Sequence, residues 1–261
     1  MASEETPAAV DISVTDDMFL GETLSVLQPS KGYRAGIDAV LLAATVNAAV
    51  DQEIKVLDLG AGVGVVSLAV AARLPKARVV LLESQKRLLD LAQMNVNRNG
   101  LADRMSVQAK DIVNEGSEGV RANEFDFALA NPPFYEASRV RLSPDEIKAN
   151  AHVMPQASLE AWFRLMAHAL KPGGVMTVIH RAEALPDLLQ FASGRFGALE
   201  IQPVQPFADQ PANRVIVRGQ KGTRKPICLL PGMVIHQPDR TYRPEIQKIL
   251  RSPVGLTTTD Q

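Results

Sequence analysis

The chain has 261 residues, 46% of them hydrophobic, with a formal net charge of −1. That suits one sizeable α/β domain, and the near-neutral balance excludes tight non-specific binding of nucleic acid through bulk charge. No apolar run reaches the roughly 18 residues of a membrane span, the first residues carry no basic and apolar leader, and the single cysteine, Cys228, excludes an internal disulfide or a cysteine-cluster metal site.

The cytoplasm is therefore the expected compartment, and Cys228 is expected to pack within a late strand. Residues 1–15 read as a disordered lead and 252–261 as a flexible tail, which leaves 16–251 as a single domain. Phe19 to Gln28 alternates weakly and predicts a hairpin strand. Gly32 to Leu42 then opens an apolar helix running to about Ala49, with Asp38 in its first turn. Asp38 is either an acid favoured there by the helix dipole or part of a segment, 16–50, that covers a ligand.

Ile54 to Gly64 (IKVLDLGAGVG) reads as a buried parallel strand entering a glycine-rich turn, and Val65 to Leu74 continues with apolar positions at helical spacing. Glycines in such a turn let the backbone approach a ligand closely, because no Cβ intervenes. Gly60, Gly62 and Gly64 form G-x-G-x-G. The dinucleotide fingerprint wants glycine where this chain has Val65, which argues against pyrophosphate.

Arg78 to Glu83 predicts a second strand ending in an acid, with Ser84 beside it. A carboxylate at that tip can accept hydrogen bonds from two ribose hydroxyls. Gln85 to Arg98 is an amphipathic helix stopped by Asn99-Gly100. Met105 to Ala109 is a third strand. After it, Asp111 either accepts from an adenine amino group, with Ile112 against the ring, or is a plain loop aspartate.

Asn114 to Asn123 reads as a surface loop and Phe125 to Ala130 as the fourth strand, which stops at Asn131-Pro132-Pro133-Phe134-Tyr135. Two prolines cannot continue a ladder and hold the chain extended. The Asn131 side chain and the Pro132 carbonyl are then aimed across the carboxyl edge of the sheet, where ligands of open α/β sheets bind. An amino group conjugated to a ring or carbonyl is a poor nucleophile, since its lone pair is delocalised. Two acceptors, Asn131 Oδ1 and Pro132 O, can hold its two hydrogens, favour a tetrahedral nitrogen and aim the lone pair at an electrophilic methyl. Phe134 would stack on the planar substrate.

Beyond this motif the flap 137–152 carries Arg139, Arg141 and Lys148, which either meet phosphates or are solvated charges. Gln156 to Leu170 is a helix, Lys171 to Gly174 a tight turn, and Val175 to His180 the fifth strand. Ala182 to Arg195 is a further helix. Leu199 to Val204 and Arg214 to Arg218 close the sheet, and Pro226 to Leu230 is one more edge strand. Trp162 and Phe163 read as core of their helix. Residues 201–261 hold nine bases against four acids, an excess that is either a surface for a polyanion or a set of solvated faces.

Asp58-Leu-Gly-Ala-Gly-Val-Gly64 resembles the first motif of class I methyltransferases that use S-adenosylmethionine. With Gly36-Ile-Asp38-Ala-Val-Leu-Leu, Glu83, Asp111-Ile112, Asn131-Pro-Pro-Phe134-Tyr135 and Leu170-Lys-Pro-Gly-Gly174, the stretch from about Phe19 to Gly219 resembles bacterial tRNA N6-adenine methyltransferases acting on adenosine 37 of a valine tRNA. The resemblance implies a Rossmann-like, doubly wound α/β fold, its seven-stranded sheet mostly parallel with an antiparallel closing strand. It implies contacts to S-adenosylmethionine at Asp38, Asp58, Gly60, Ala61, Gly62, Glu83, Ser84, Asp111, Ile112 and Asn131. It implies catalysis by Asn131, Pro132 and Phe134 on an RNA substrate, a tRNA first of all, with Tyr135, Arg139 and Arg141 on the substrate.

The same N-P-P-F/Y motif occurs in guanine-N2 methyltransferases of ribosomal RNA and in methyltransferases of release-factor glutamine, and both stand as alternatives. The glutamine enzymes usually carry a longer helical N-terminal domain than the about fifty residues here. A small-molecule O-methyltransferase is a further alternative, but that chemistry usually wants a base or metal to deprotonate a hydroxyl. His152, His168, His180 and His236 lie in different elements without metal-ligand spacing, and no metal is expected.

Overall fold

The computed structural model describes residues 13–32, 34–133 and 156–256. Val14–Phe19 (β1) and Leu24–Pro29 (β2) form an antiparallel hairpin. The first helix is Ile37–Ala44 (α1). Ile54–Leu59 (β3), Val65–Arg73 (α2), Ala77–Glu83 (β4), Lys86–Arg98 (α3) and Met105–Ala109 (β5) follow as alternating units, then Ile112–Glu115 (α4) and Phe125–Ala130 (β6). Gln156–Ala169 (α5), Leu170–Arg181 (β7), Leu185–Ala192 (α6), Phe196–Gln205 (β8) and Arg214–Lys221 (β9) complete the main body. Cys228–Leu229 (β10), Met233–Val234 (β11) and Pro244–Arg251 (α7) come last.

Nine strands make the central sheet, in the order β10-β8-β9-β7-β6-β3-β4-β5 with β11 also on β8. Seven of them are the expected set, and β10 and β11 add two residues each. Strands β5, β4, β3, β6 and β7 pair in parallel, while β9 is antiparallel to both β7 and β8. Leucine- and valine-rich β3 and β4 are buried on both faces, as a parallel sheet covered by helices requires. One core layer joins Leu41, Leu68, Val96 and Ile249 from α1, α2, α3 and α7. The other joins Leu57 and Leu59 to Trp162, Phe163 and Leu188 of α5 and α6.

Strand β3 has β4 on one side and β6 on the other. It is thus the point where chain order along the sheet reverses, and a crevice opens there at the carboxyl ends.

Several boundaries differ from expectation. β1 starts at Val14, inside the stretch read as a lead, and Thr15 Oγ1 bonds Asp17 and Arg34. α1 stops at Ala44 instead of continuing to Ala49, because the Thr45 hydroxyl bonds the Leu42 carbonyl at 2.7 Å and competes with the ladder. β7 begins at Leu170, so Lys171–Gly174 belongs to an irregular first part of the strand, where the register against β6 shifts. The expected helix 182–195 is a 3₁₀ turn followed by α6.

Cys228 is exposed, not packed: β10 is a two-residue outer strand with both residues in solvent. Within the expected tail, Leu256 N–H bonds Ala44 O at 2.9 Å. Among the described residues no helix is long and apolar enough to cross a membrane.

Candidate functional site

The turn after β3 is left-handed at three glycines, with φ of 62° at Gly60, 58° at Gly62 and 91° at Gly64, a conformation glycine adopts without penalty. Ala61 N–H donates to Leu82 O and Gly64 N–H to Ala61 O, both at 2.9 Å, and Gly64 then caps α2. Asp58 stands just below the turn, only 1% exposed. Its Oδ2 accepts from Ser67 Oγ at 2.6 Å, which fastens the start of α2 to β3. Burial pushes the Asp58 carboxyl up to about 7, the Ser67 hydrogen bonds oppose the rise, and the nearby Glu83 charge adds to it.

Glu83, at the tip of β4, is also buried. Oε2 accepts from Gly62 N–H at 2.9 Å and Oε1 from Gln85 N–H at 2.8 Å. The carboxylate thus shapes the glycine loop, and each oxygen keeps further lone-pair capacity for a ligand hydroxyl. Ser84 beside it is exposed. One strand further, Lys110 N–H bonds Glu83 O at 3.0 Å. Asp111 caps α4: Oδ1 accepts from Val113 N–H and Asn114 N–H, both at 3.0 Å, and Oδ2 from Asn114 Nδ2 at 2.8 Å. These bonds, the Asn114 backbone first, hold its carboxyl below the usual range. Ile112 is buried in the same core layer as Leu59, Leu82 and Trp162.

Asn131 follows the last residue of β6. Leu59 of β3 is in register with Ala130 of β6, so Gly60 and Asn131 leave neighbouring strands side by side. The Asn131 residue is half-buried with Oδ1 shielded from solvent, Pro132 is buried and Pro133 exposed. Phe134, Tyr135, Arg139 and Arg141 lie outside the described residues. Asp38, in the first turn of α1, accepts from Arg214 Nε at 2.9 Å, which joins α1 to the start of β9. The carboxyl edge thus brings together Asp58, Gly60, Ala61, Gly62, Glu83, Ser84, Asp111, Ile112 and Asn131, and gives Asp38 an arginine partner beside them.

Three residues that the sequence does not assign to the site belong to this region. Trp162 of α5 lies against the glycine loop: a methyl group on Gly60 would overlap its Cη2. It is 5% exposed, and its Nε1 is buried with no hydrogen-bond partner among the described residues. Asn95 of α3 sits at a position of the apolar stripe formed by Leu88, Leu91, Ala92 and Val96, and that misplaced polarity was its signal. It ties β2 to the glycine loop through Leu27 and Val63. His180, near the end of β7, is held neutral by burial, its pKa lowered to about 4.

These features fit a nucleoside-bearing cofactor. A glycine-rich backbone turn and a strand-tip carboxylate with lone pairs to spare meet at one crevice. Helix-covered parallel strands with the order β5-β4-β3-β6-β7-β9-β8, β9 reversed, and a glycine loop after the central strand define a class I methyltransferase.

Comparison with known proteins agrees. The chain belongs to the methyltransferase small domain family, whose model matches residues 34–200. It is 29% identical over 180 residues to a tRNA1(Val) (adenine(37)-N6)-methyltransferase of Porphyromonas gingivalis, covering 68% of this chain and 70% of that protein. A protein of the same name from Erwinia tasmaniensis is 30% identical over 215 residues, covering 80% and 83%.

Among solved structures, protein Atu636 of Agrobacterium tumefaciens, described as a predicted O-methyltransferase, superposes with a TM-score of 0.71 at 24% identity, covering 85% of this chain and all of that one. The Thermus thermophilus 16S rRNA N2 G1207 methyltransferase, in complex with AdoMet and guanosine, gives 0.55 at 22% identity, over 84% and 53%. Both support the fold. The protein is an S-adenosylmethionine-dependent methyltransferase.

Proposed function

We propose that the protein methylates an exocyclic amino group of RNA, N6 of an adenine in tRNA, in the cytoplasm. The observation that carries the reading is the register of Leu59 with Ala130. It makes the Asn131-Pro132 acceptor pair a direct neighbour of the glycine loop, so a nucleophile and a methyl donor can meet between two adjacent strands. The naming of relatives such as the Porphyromonas and Erwinia proteins favours tRNA over the alternatives.

In this reading Glu83 accepts from ribose hydroxyls, while the Gly60–Gly62 backbone admits the donor without steric conflict. Asp111 stays an N-cap first and keeps Ile112 against the site. When bound, S-adenosylmethionine supplies a methyl on a positively charged sulfur. Asn131 Oδ1 and Pro132 O each accept one amino hydrogen of the substrate. That turns the nitrogen lone pair toward the donor and away from conjugation, so positioning and electrostatics lower the barrier. Phe134, Tyr135, Arg139 and Arg141 are assigned to the substrate base and its phosphates.

The test is transfer of labelled methyl to unmodified tRNA, ribosomal RNA and a release factor in parallel, with nucleoside and amino-acid analysis. N6-methyladenosine in tRNA is expected. Label at guanine N2 of ribosomal RNA, or on glutamine, would replace the substrate and keep the acceptor-pair chemistry.

A further inference from the structure

We infer that the C-terminal hairpin around Tyr242 is a stacking platform for an unpaired nucleotide of the RNA substrate, a few nucleotides from the one that reacts. The inference rests on the RNA reading above and adds to it a binding surface outside the Asn131 site.

Strand β9 is antiparallel to both β7 and β8, so β8 runs the same way as β6. Its end at Gln205 opens on the same edge as Asn131. Four strand steps separate β11, which lies on the outer side of β8, from β6, roughly 19 Å at the usual spacing, a reach of a few nucleotides along the RNA strand. There β11 continues the sheet: Ile235 N–H bonds Gln205 O and His236 N–H bonds Pro206 O, both at 2.9 Å. The chain turns at 237–241, closed by Gln237 N–H to Thr241 O at 2.8 Å, and returns with Arg243 N–H on Ile235 O at 3.0 Å. His236 and Tyr242 face each other across this turn as an antiparallel bridge.

Three rings cluster on that frame, His236 stacked on Tyr242 and Phe207 tilted by 35° against His236. Phe207 and His236 have centroids 5.4 Å apart, and His236 and Tyr242 are 4.9 Å apart at 26°. Tyr242 ends the stack and is 41% exposed, so with one face on His236 the other is open. The bridge and the stack hold that ring in place, so a base gains a flat, ordered surface with little side-chain entropy left to lose.

Arginines flank it. Arg240 stands exposed at the tip of the turn with φ of 69°, and exposed Arg243 meets Glu245 only at 3.7 Å. The adjacent acid, Asp239, is folded back on Thr241, accepting its N–H at 2.9 Å and its hydroxyl at 2.6 Å. An open aromatic face between two cations matches the chemistry of a single-stranded nucleic acid, a base plus its phosphates. An acidic peptide would use the arginines and leave the ring face idle.

The experiment measures affinity of the full chain for a fluorescein-labelled RNA hairpin with an unpaired loop and for a fully paired duplex, over a salt series. Binding of S-adenosylhomocysteine is measured separately by calorimetry. Tyr242→Ala and Tyr242→Leu should each weaken hairpin binding roughly ten-fold, and Tyr242→Trp should restore it. The leucine keeps the apolar contact on His236, so a loss there reports the flat ring and not packing. Arg240→Glu with Arg243→Glu should lower the salt slope by about two.

S-adenosylhomocysteine affinity should be unchanged in every variant. Wild-type binding with undiminished affinity in Tyr242→Ala and Tyr242→Leu overturns the platform and leaves the RNA reading standing. No binding of either RNA by the wild-type chain, with S-adenosylhomocysteine still bound, overturns both.

Discussion

Asn95 takes over both backbone groups of Leu27: its Oδ1 accepts Leu27 N–H at 2.8 Å and its Nδ2 donates to Leu27 O at 3.0 Å. The second Nδ2 hydrogen goes to Val63 O, also at 3.0 Å. One fully buried amide thus pins the N-terminal hairpin and the glycine loop to α3. The Asn95→Leu variant would leave three buried backbone groups unpaired, at about 1–3 kcal/mol each. A stability loss of at least about 3 kcal/mol in urea denaturation is expected, with weaker binding of S-adenosylhomocysteine. A loss below about 1 kcal/mol would show that the clamp is dispensable.

Asp58 predicts the pH dependence of the free protein. Its folded pKa of about 7 lies above the ordinary 3.8 because the carboxyl is buried. Between those values the folded chain holds a proton that the unfolded chain has released, so stability falls as pH rises from about 4 to about 7. The span corresponds to a loss on the order of 4 kcal/mol. Asp58→Asn stays neutral and can still accept from Ser67. It should remove that slope and exceed the wild type in stability above pH 7, as read from urea midpoints at several pH values. Parallel wild-type and variant profiles would show that Asp58 does not titrate in this window.

Gly60 is constrained twice. Its φ of 62° disfavours any side chain, and a methyl there would collide with the Trp162 ring. Gly60→Ala should therefore cost about 1–2 kcal/mol from the backbone and about 1–3 kcal/mol from overpacking, with donor affinity falling in parallel. In a Trp162→Leu background, which relieves the collision, adding Gly60→Ala should cost only the backbone part relative to Trp162→Leu alone. No added cost there would mean that the backbone conformation carries no penalty.

The sheet was legible because β3, β4, β5 and β6 are short apolar runs ended by glycine, acid or proline, and their boundaries agree with the structure within a residue. Glu83, Asp111 and Asn131 followed from where those strands end, and the rest of the cofactor set from the family resemblance. Elements whose cause is tertiary were hidden. α7 carries few apolar residues, and two of them, Ile246 and Ile249, are buried, so its helix depends on packing against the rest of the fold. The hidden roles of Trp162 and Asn95 have the same origin, since each ordinary helix position acquires its partner only when α5 and α3 dock. Asp111 shows the opposite case. The sequence reads it as an adenine contact or a plain loop aspartate, whereas the four-residue helix it caps explains most of its hydrogen bonds.

Trp162 is the one tryptophan of the chain, so its fluorescence reports on the crevice directly. Titration with S-adenosylhomocysteine should shift or quench the emission, because the indole lies on the cofactor loop. Glu83→Gln weakens the charge-assisted bonds to Gly62 and Gln85 N–H. It should raise the Kd from that titration about 10- to 100-fold, the equivalent of about 1.5–3 kcal/mol. An unchanged Kd would remove Glu83 from the donor site.

Asn131 separates binding from transfer. Its side chain leaves β6 one residue past the pair Leu59–Ala130, and in the acceptor-pair reading it meets the substrate amino group, whereas Glu83 and Asn95 bond the glycine loop directly. An Asn131→Ala substitution should therefore keep the Trp162 titration intact while methyl transfer falls about 10²- to 10³-fold, the scale of losing one preorganised polar contact to the reacting group. Asn131→Asp offers an acceptor of the same size with added charge. It should retain part of the rate, because the requirement is an oxygen that takes an amino hydrogen. If Asn131→Ala transfers methyl at the wild-type rate, the acceptor pair plays no part in the reaction. If the rate falls only together with donor affinity, Asn131 belongs to the donor site and not to the substrate.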